Sequence, residues 1–442
     1  MIVLKFGGTS VGSAENIKKI VKIINGINKP RIVVLSAVSG TTNALVAIAT
    51  LLKQDLKDEA VLSLENLITN YSSLVDDLYE TPVYRKKAQK FTSIIFELID
   101  SIIQHHHQSN SDQIIVAQGE ILSTNLVQLY LEESRISSRL ISALDCILLD
   151  EKKEPLLSLL TEKILPVLEE NPEDNLWITQ GFICKNNRGE IDNLQRGGSD
   201  YTASLIAAAI QANEVQIWTD ISGMHNNDPR YVANTFSIDE ISFDEAAELA
   251  YFGAKILHPQ SLIPAKENNI PVLLKNTFDP LHKGTVIKNK TVQQGVRAIA
   301  AKDGITAIKI KSYRMLLAYG FLKNVFEVFE KHQTPIDMIT TSEVAISLTI
   351  DDTTYLSEIE KELEQFGKVQ IDSDLSIVCV AGDFSQNKEG ISATVFNSLK
   401  EIPIRMISYG GSDYNVSLLV KTIDKISALN FLNDGLFLRK ES

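Results

Sequence analysis

Two lysines, an arginine, two glycine pairs and several hydroxyls and carboxylates stand where this chain's apolar runs end, and together they suit phosphoryl transfer. Lys5-Phe6-Gly7-Gly8-Thr9-Ser10 follows the apolar run Met1 to Leu4 and precedes an amphipathic segment. Paired glycines let backbone N–H groups approach an anion, and the lysine adds a fixed positive charge. The GxxxxGK[ST] order of a Walker A loop is absent, and a Gly-Gly pair after a strand is by itself more often only a turn. Arg196-Gly197-Gly198-Ser199-Asp200-Tyr201-Thr202 opens a helix from about Ala203. That is an anion site beside a guanidinium able to hold a carboxylate by two parallel hydrogen bonds. Lys255, in Phe252-Gly253-Ala254-Lys255-Ile256-Leu257-His258-Pro259, is a second candidate phosphate lysine.

Weaker clusters complete the set. Ser36-Ala37-Val38-Ser39-Gly40-Thr41-Thr42-Asn43 follows the run Arg31 to Leu35. Hydroxyls and a glycine at a strand's carboxyl end suit a small polar ligand, or simply cap a helix. In Gln118-Gly119-Glu120, Glu120 is placed to hold an ammonium group, or to favour a helix dipole. Trp218-Thr219-Asp220 with Gly223, then Asp228-Pro229-Arg230, reads as the rim of a nucleotide pocket or as a plain strand end and turn. No Ser-His-Asp order, HExxH or cysteine cluster competes. Phosphoryl transfer needs such donors and cations around developing charge.

The elements that must position these groups alternate. Ile2 to Lys5 and Arg31 to Leu35 are β-rich, and between them Ile17, Ile20, Val21 and Ile24 recur at helical spacing behind a cap at Ser13. Residues 44–108 are helix-rich; Ile114 to Ala117 reads as a strand, with a helix from about Ser123. Leu176 to Gln180, Val215 to Thr219 and Val272 to Lys275 add strands, and Ser204 to Ala212 is a small-residue helix. The pattern predicts an α/β fold with a mainly parallel central sheet covered by helices. Beyond a polar linker at Lys288 to Gln294 the pattern becomes that of two βαββαβ-like modules, in tandem or interleaved.

Composition narrows the class. A net charge of −13 argues against non-specific nucleic-acid binding. Cys146, Cys184 and Cys379 are widely spaced in apolar stretches and read as buried free thiols of a reducing cytosol. No signal peptide opens the chain and no run has the length and apolarity of a membrane span, so a cytoplasmic protein with no membrane partner is expected. His105-His106-His107 reads as a solvated helix end, and no metal site is expected from protein ligands.

The chain resembles the aspartate kinases of the amino acid kinase family. The resemblance rests on KFGGTSVGSAENI at 5–17, VVLSAVSGTTNAL at 33–45, QGEILST at 118–124, ITQGF at 178–182, RGGSDYTASL at 196–205, WTDISGM at 218–224, DPR at 228–230 and ELAYFGAKILHP at 248–259. It implies the amino acid kinase fold over 1–290 and ATP-dependent phosphorylation of the β-carboxylate of L-aspartate, the first step toward lysine, threonine and methionine. By the same resemblance Lys5, Asp200 and Lys255 are catalytic. Gly7, Gly8, Ser10, Thr219, Asp220, His225, Asp228 and Arg230 join both lysines at ATP, with Mg2+ held mainly by the nucleotide phosphates. Arg196 takes the substrate's α-carboxylate and Glu120 its ammonium, with Ser36, Thr42, Phe182, Gly198 and Ser199 completing the pocket. The chain departs from the family at Asp192-Asn193-Leu194-Gln195, where a Thr-rich, Gly-containing run is usual, and at His225, often an aromatic.

The second half resembles paired ferredoxin-like ACT modules, one over 304–381 and one built from 295–303 and 382–442. Met315, Ala318, Gly320, Phe321, Leu322, Asp337, Thr341, Ser342, Glu343 and Val344 resemble the pocket of lysine-sensitive members, with Ala318 at a usual hydroxyl position. Asp337 and Glu343 would meet cationic groups and Ser342 a carboxylate. The resemblance further implies L-lysine as feedback inhibitor and a homodimer, or dimer of dimers, through these modules. Two other readings stay open: a kinase of the same fold acting on glutamate or a carbamate, and a catalytically weak amino-acid sensor.

Overall fold

A computed structural model describes residues 1–105, 110–171, 173–194, 197–253, 257–291, 295–312, 319–384 and 390–437. The chain forms two compact units: 1–224 with 239–243 and 257–290, and 225–238 with 244–256 and 291–442. Two segments inside the expected kinase region, 225–238 and 244–256, thus belong to the second unit.

The first unit is built on an eight-stranded sheet. Across it run Arg139–Ile141, Leu176–Gln180, Arg31–Leu35, Ile2–Phe6, Val215–Thr219, Val272–Asn276, Thr285–Lys288 and Glu240–Ser242. All neighbours pair in parallel except Thr285–Lys288 against Val272–Asn276. Both central strands are apolar but for Lys5 and Arg31 and buried almost throughout, because both faces are covered. Helix Ala14–Asn25 starts where Ser13 Oγ accepts from Asn16 N at 3.2 Å, and it buries Ile17, Ile20, Val21 and Ile24, as their spacing predicts. Each such side chain, fully buried, is worth about 1.5–3 kcal/mol.

Ile114 to Ala117 is not a strand. It lies in the helix Ser111–Glu133, buried almost continuously from Ile115 to Val127. A helix enclosed on all sides has no polar stripe, so a β-branched run within it looks like a buried strand. By length and composition this helix could cross a bilayer, contrary to the expectation from sequence, yet it is mostly buried inside this unit.

The second unit carries a six-stranded antiparallel sheet: Ile339–Thr341, Ala345–Ile350, Gly295–Lys311, Lys368–Asp383, Asn415–Lys421 and Met406–Tyr409. Two long strands run through both modules, so the modules are interleaved. Ile308 and Ile310 pack with Val325, Phe329, Ile346 and Ile359 in one core. Ile299, Val378 and Val380 pack with Val395, Val416 and Leu429 in the other. The expected boundary at 381 is therefore misplaced, since Val378 and Val380 side with the second module. The polar stretch Lys302–Gly304 and the left-handed Asp374 (φ 57°) mark the crossing points, where the pairing slips. Cys146, Cys184 and Cys379 are buried free thiols, and burial raises the pKa of each.

Candidate active site

At the carboxyl ends of strands Ile2–Phe6 and Arg31–Leu35 the first unit opens a cleft of about 530 Å³. Gly7, Gly8, Ser36, Thr42, Glu120, Phe182, Gly198, Ser199, Thr219 and Asp220 line it. The location follows the rule for open α/β sheets, in which strand carboxyl ends face the ligand. Six separate stretches of sequence are thereby brought to one place.

At one side Lys5 Nζ meets Asp200 Oδ1 at 2.7 Å, with both side chains largely shielded. Asp200 stands in the first turn of the helix Gly198–Ala209. A Cβ on Gly7 would lie 3.4 Å from Lys5 Nζ, so the ammonium sits directly under the glycine loop. The helix enters through Gly197 (φ 71°), where a Cβ would come within 2.4 Å of Ser261 Cβ, so any side chain there would displace the helix start. A shielded cation, a glycine loop and a helix N-terminus converge on the space an anion would fill.

The other side is set by Glu120, which lies inside helix Ser111–Glu133 and not after a strand. Gly119 explains its reach: a Cβ there would stand 2.9 Å from Ala37 Cβ, so the helix packs directly on the Ser36–Gly40 loop. Glu120 Oε1 accepts from Ala37 N at 3.2 Å, and Oε2 is buried with no hydrogen-bond partner among the described residues. Burial raises the carboxyl pKa to about 7, against the lowering effect of Ala37 N. A buried acceptor with a spare oxygen is an unfinished ion pair, suited to a ligand ammonium.

The floor is hydroxyl-rich and braced. Ser36 Oγ donates to Ser199 Oγ at 2.9 Å, and Ser123 Oγ donates to the Ser36 carbonyl at 2.7 Å. Phe182 holds a left-handed backbone (φ 66°), fastened by its N–H to Thr202 Oγ1 at 2.9 Å and its carbonyl to Leu194 N at 2.7 Å. Such a conformation costs about 1–3 kcal/mol for a bulky residue and persists where surroundings enforce it. The departing run is structured here: Ile191–Asn193 pairs with Ile183–Lys185, and Gln195 lies outside the described residues.

Several expected residues are not among those that line this cleft. Ser10 is fully buried, and its hydroxyl is 2.7 Å from Thr277 Oγ1, engaged in the core and not turned to a phosphate. His225, Asp228 and Arg230 belong to the second unit. There Arg230 Nη2 meets Asp228 Oδ2 at 2.6 Å and its Nε donates to Oδ1 at 3.0 Å, which lowers the Asp228 pKa. Arg196, Lys255, Met315 and Ala318 lie outside the described residues, as do His106 and His107. In the second unit Gly320 (φ 80°) caps helix Phe321–Lys331, Thr341, Ser342 and Glu343 are exposed, and Asp337 is buried. Sequence reasoning missed Gln180, which ties the cleft's supports together. Its Nε2 donates to Thr124 Oγ1 and its Oε1 accepts from Ala143 N, both at 2.9 Å. A polar residue ending an apolar strand was the available signal.

Comparison with known proteins bears on this site. The amino acid kinase family matches residues 1–276, and an ACT domain matches 378–436. The lysine-sensitive aspartokinase 3 of Escherichia coli (strain K12) is 35% identical over 99% of this chain and 99% of its own length. The crystal structure of E. coli aspartokinase III in complex with lysine and aspartate (T-state) superposes with a TM-score of 0.84 at 34% identity, over 99% of each chain. The same enzyme in complex with aspartate and ADP (R-state) gives 0.82 at 34% identity, covering 99% of this chain and 100% of that one.

Proposed function

The chain belongs to the amino acid kinase family, as an aspartokinase, and on that premise we propose that it phosphorylates the β-carboxylate of L-aspartate from ATP, under feedback inhibition by L-lysine. One observation carries the reading: Glu120, whose Oε2 has no hydrogen-bond partner among the described residues, lines one cleft with Gly7 and Ser199, the close neighbours of the shielded Lys5–Asp200 pair. The pair suits a phosphoryl group, and Glu120 an amino acid's ammonium.

The acceptor carboxylate is ionised at neutral pH, so no general base is needed. Catalysis rests on alignment and charge neutralisation. Glu120 binds the ammonium and Arg196 the α-carboxylate, which leaves the β-carboxylate aimed along the Ser36–Ser199 floor toward Lys5. Thr42, Phe182 and Gly198 shape that floor. Lys5 and Lys255 neutralise the phosphoryl oxygens as they move, and Asp200 keeps Lys5 extended under the Gly7–Gly8 loop until they arrive. Thr219, Asp220, His225, Asp228 and Arg230 serve the nucleotide. Ser10 acts indirectly, by holding the loop to Thr277. Bound Mg2+ supplies further charge neutralisation; the oxygen donors of Asp200 and Asp220 fit it, with the nucleotide phosphates as its main ligands.

For the regulatory unit, Met315, Ala318, Gly320, Phe321, Leu322, Asp337, Thr341, Ser342, Glu343 and Val344 form the lysine pocket. Edge strands Ile339–Thr341 and Met406–Tyr409, with exposed Ile339, Ile407 and Tyr409, suit self-association as a homodimer or dimer of dimers. Three buried free thiols suit a cytoplasmic enzyme. The deciding assay is ADP release from Mg-ATP with L-aspartate, with and without L-lysine, with sedimentation for the oligomer. Aspartate-dependent turnover suppressed by lysine supports the reading. A folded, ATP-binding sample inert toward aspartate rejects it.

A further inference from the structure

Lys302 sits on the long strand Gly295–Lys311, at the slip in its pairing with Lys368–Asp383. Its Nζ lies 2.9 Å from Asp337 Oδ1, 2.7 Å from Asp351 Oδ2 and 4.8 Å from the centre of the Tyr251 ring. Tyr251 donates its hydroxyl to the same Asp337 Oδ1 at 2.9 Å. The Asp337 side chain is 1% exposed, and its Oδ2 is buried with no hydrogen-bond partner among the described residues. Its backbone is fixed, since Asp337 N donates to the Thr349 carbonyl at 2.9 Å and Met338 N to Thr349 Oγ1 at 3.0 Å.

A carboxylate this deep requires a cation, and one satisfied oxygen compensates it only in part. The cation it has is a primary ammonium on a four-carbon stem. That is the side chain of the amino acid read above as the effector. We propose that Lys302 is a built-in rival of the effector at Asp337: free L-lysine must displace this ammonium, and Asp351 is the counter-ion that keeps it afterwards. The inference rests on the reading of Asp337 as part of the effector pocket.

A tethered competitor acts at an effective concentration of about millimolar order, whatever the solution contains. The chain thus sets its own threshold for inhibition, because effector affinity is reduced by the fraction of molecules in which Asp337 is taken. Displacement also alters the partner of Tyr251, at the end of helix Phe243–Tyr251. Glu248, one turn earlier, bonds Asn415, and Glu245 pairs with Arg297 at 3.4 Å. Residues 245, 248 and 251 lie on one face of that helix, so it is fastened to the regulatory sheet at three points, four residues before Lys255.

The test uses the full chain and reads the L-lysine dose for half-inhibition of aspartate-dependent ADP release, each variant against its own rate without lysine. Lys302→Met should lower the dose by about fivefold, and Lys302→Arg should return it to within about twofold of the parent. Asp351→Asn should raise it by about threefold, because the displaced ammonium loses its refuge. Asp337→Asn should raise it more than about tenfold. An unchanged dose in Asp337→Asn overturns the underlying pocket reading. A desensitised Asp337→Asn alongside a Lys302→Met dose that is unchanged or raised overturns the rivalry itself. Should Lys302→Met not fold, Asp351→Asn decides: an unchanged or lowered dose rejects the proposal.

Discussion

Glu120 and Asp337 are two buried carboxylates in two units, each with one oxygen engaged and the other without a partner among the described residues, and each read as the receiver of an amino acid's ammonium. Their difference lies in what stands opposite. Among the described residues only backbone N–H groups stand beside Glu120, and burial raises its pKa to about 7. Asp337 already holds a lysine of its own chain and a tyrosine hydroxyl. A substrate site gains from an uncompensated charge, since the substrate supplies the missing half with nothing to displace. An effector site gains from a compensated one, since the displaced partner is a part that moves. One side-chain chemistry thus serves readiness in one unit and threshold in the other.

The largest effect should come from separating the two sites completely. Lys5→Ala removes the shielded cation paired with Asp200, and turnover should fall by more than about a thousandfold, since electrostatic stabilisation of the transferring group supplies much of the rate acceleration. Circular dichroism should remain that of the folded protein, and calorimetric binding of L-lysine should be unaltered. Near-normal turnover would remove Lys5 from the chemistry; lost lysine binding would mean that the two sites are not separable.

The next effect falls on the substrate carboxylate alone. Glu120→Gln keeps the shape and the Ala37 bond and removes the charge, so the aspartate KM should rise by about 10–100-fold, the worth of a charge-assisted hydrogen bond. The lysine dose should stay within about twofold. A KM that does not move places the ammonium elsewhere.

The raised pKa of Glu120 gives the comparison a pH axis. Aspartate affinity should climb as pH rises through about 7, where the free enzyme's carboxyl ionises, and Glu120→Gln should abolish that climb. Stability should run the other way. The folded state holds this proton up to about pH 7 and the unfolded chain only to its ordinary 4.5, so stability falls between those limits. The ionised group costs on the order of 3 kcal/mol at pH 8. Glu120→Gln should therefore gain melting temperature relative to the parent between pH 5 and pH 8. Parallel melting curves for the two proteins would show that burial of this charge is not costly.

Much of the catalytic unit was legible because its groups are local. Lys5 lies in the first strand, Gly7 and Gly8 follow it directly, and Ser36 and Thr42 flank one glycine turn, so short-range pattern located them. Glu120 was placed on the wrong element, because helix Ser111–Glu133 is enclosed on all sides and Ile114 to Ala117 imitates a strand. Ser10 was assigned to a phosphate because sequence does not show that Thr277, far along the chain, uses its hydroxyl. Interleaving of the modules was among the readings of the sequence, but polar breaks at Lys302–Gly304 and Asp374 hid the continuity of the two long strands that carry it. Likewise Lys302 looks like an ordinary surface charge until the fold brings it to Asp337.

Gly119 offers the smallest and most discriminating change. In a helix interior Gly→Ala is worth about 0.5–1 kcal/mol of stabilisation. Here the added methyl would meet Ala37 Cβ at 2.9 Å, with Thr41 Cγ2 and Leu45 Cδ1 at 3.4 Å. Ala37 cannot yield freely, because its N–H holds Glu120 Oε1 and the neighbouring Ser36 carbonyl is held by Ser123. The helix must then move off the loop by a few tenths of an ångström and take Glu120 with it. Gain and strain should nearly cancel, so Gly119→Ala should melt within about 2 °C of the parent, while the aspartate KM rises about threefold through the displaced carboxylate. A variant that melts higher with KM unchanged would show that the close approach of helix and loop is incidental. Glu120 would then be seated by its own hydrogen bond, and its readiness would owe nothing to the glycine beside it.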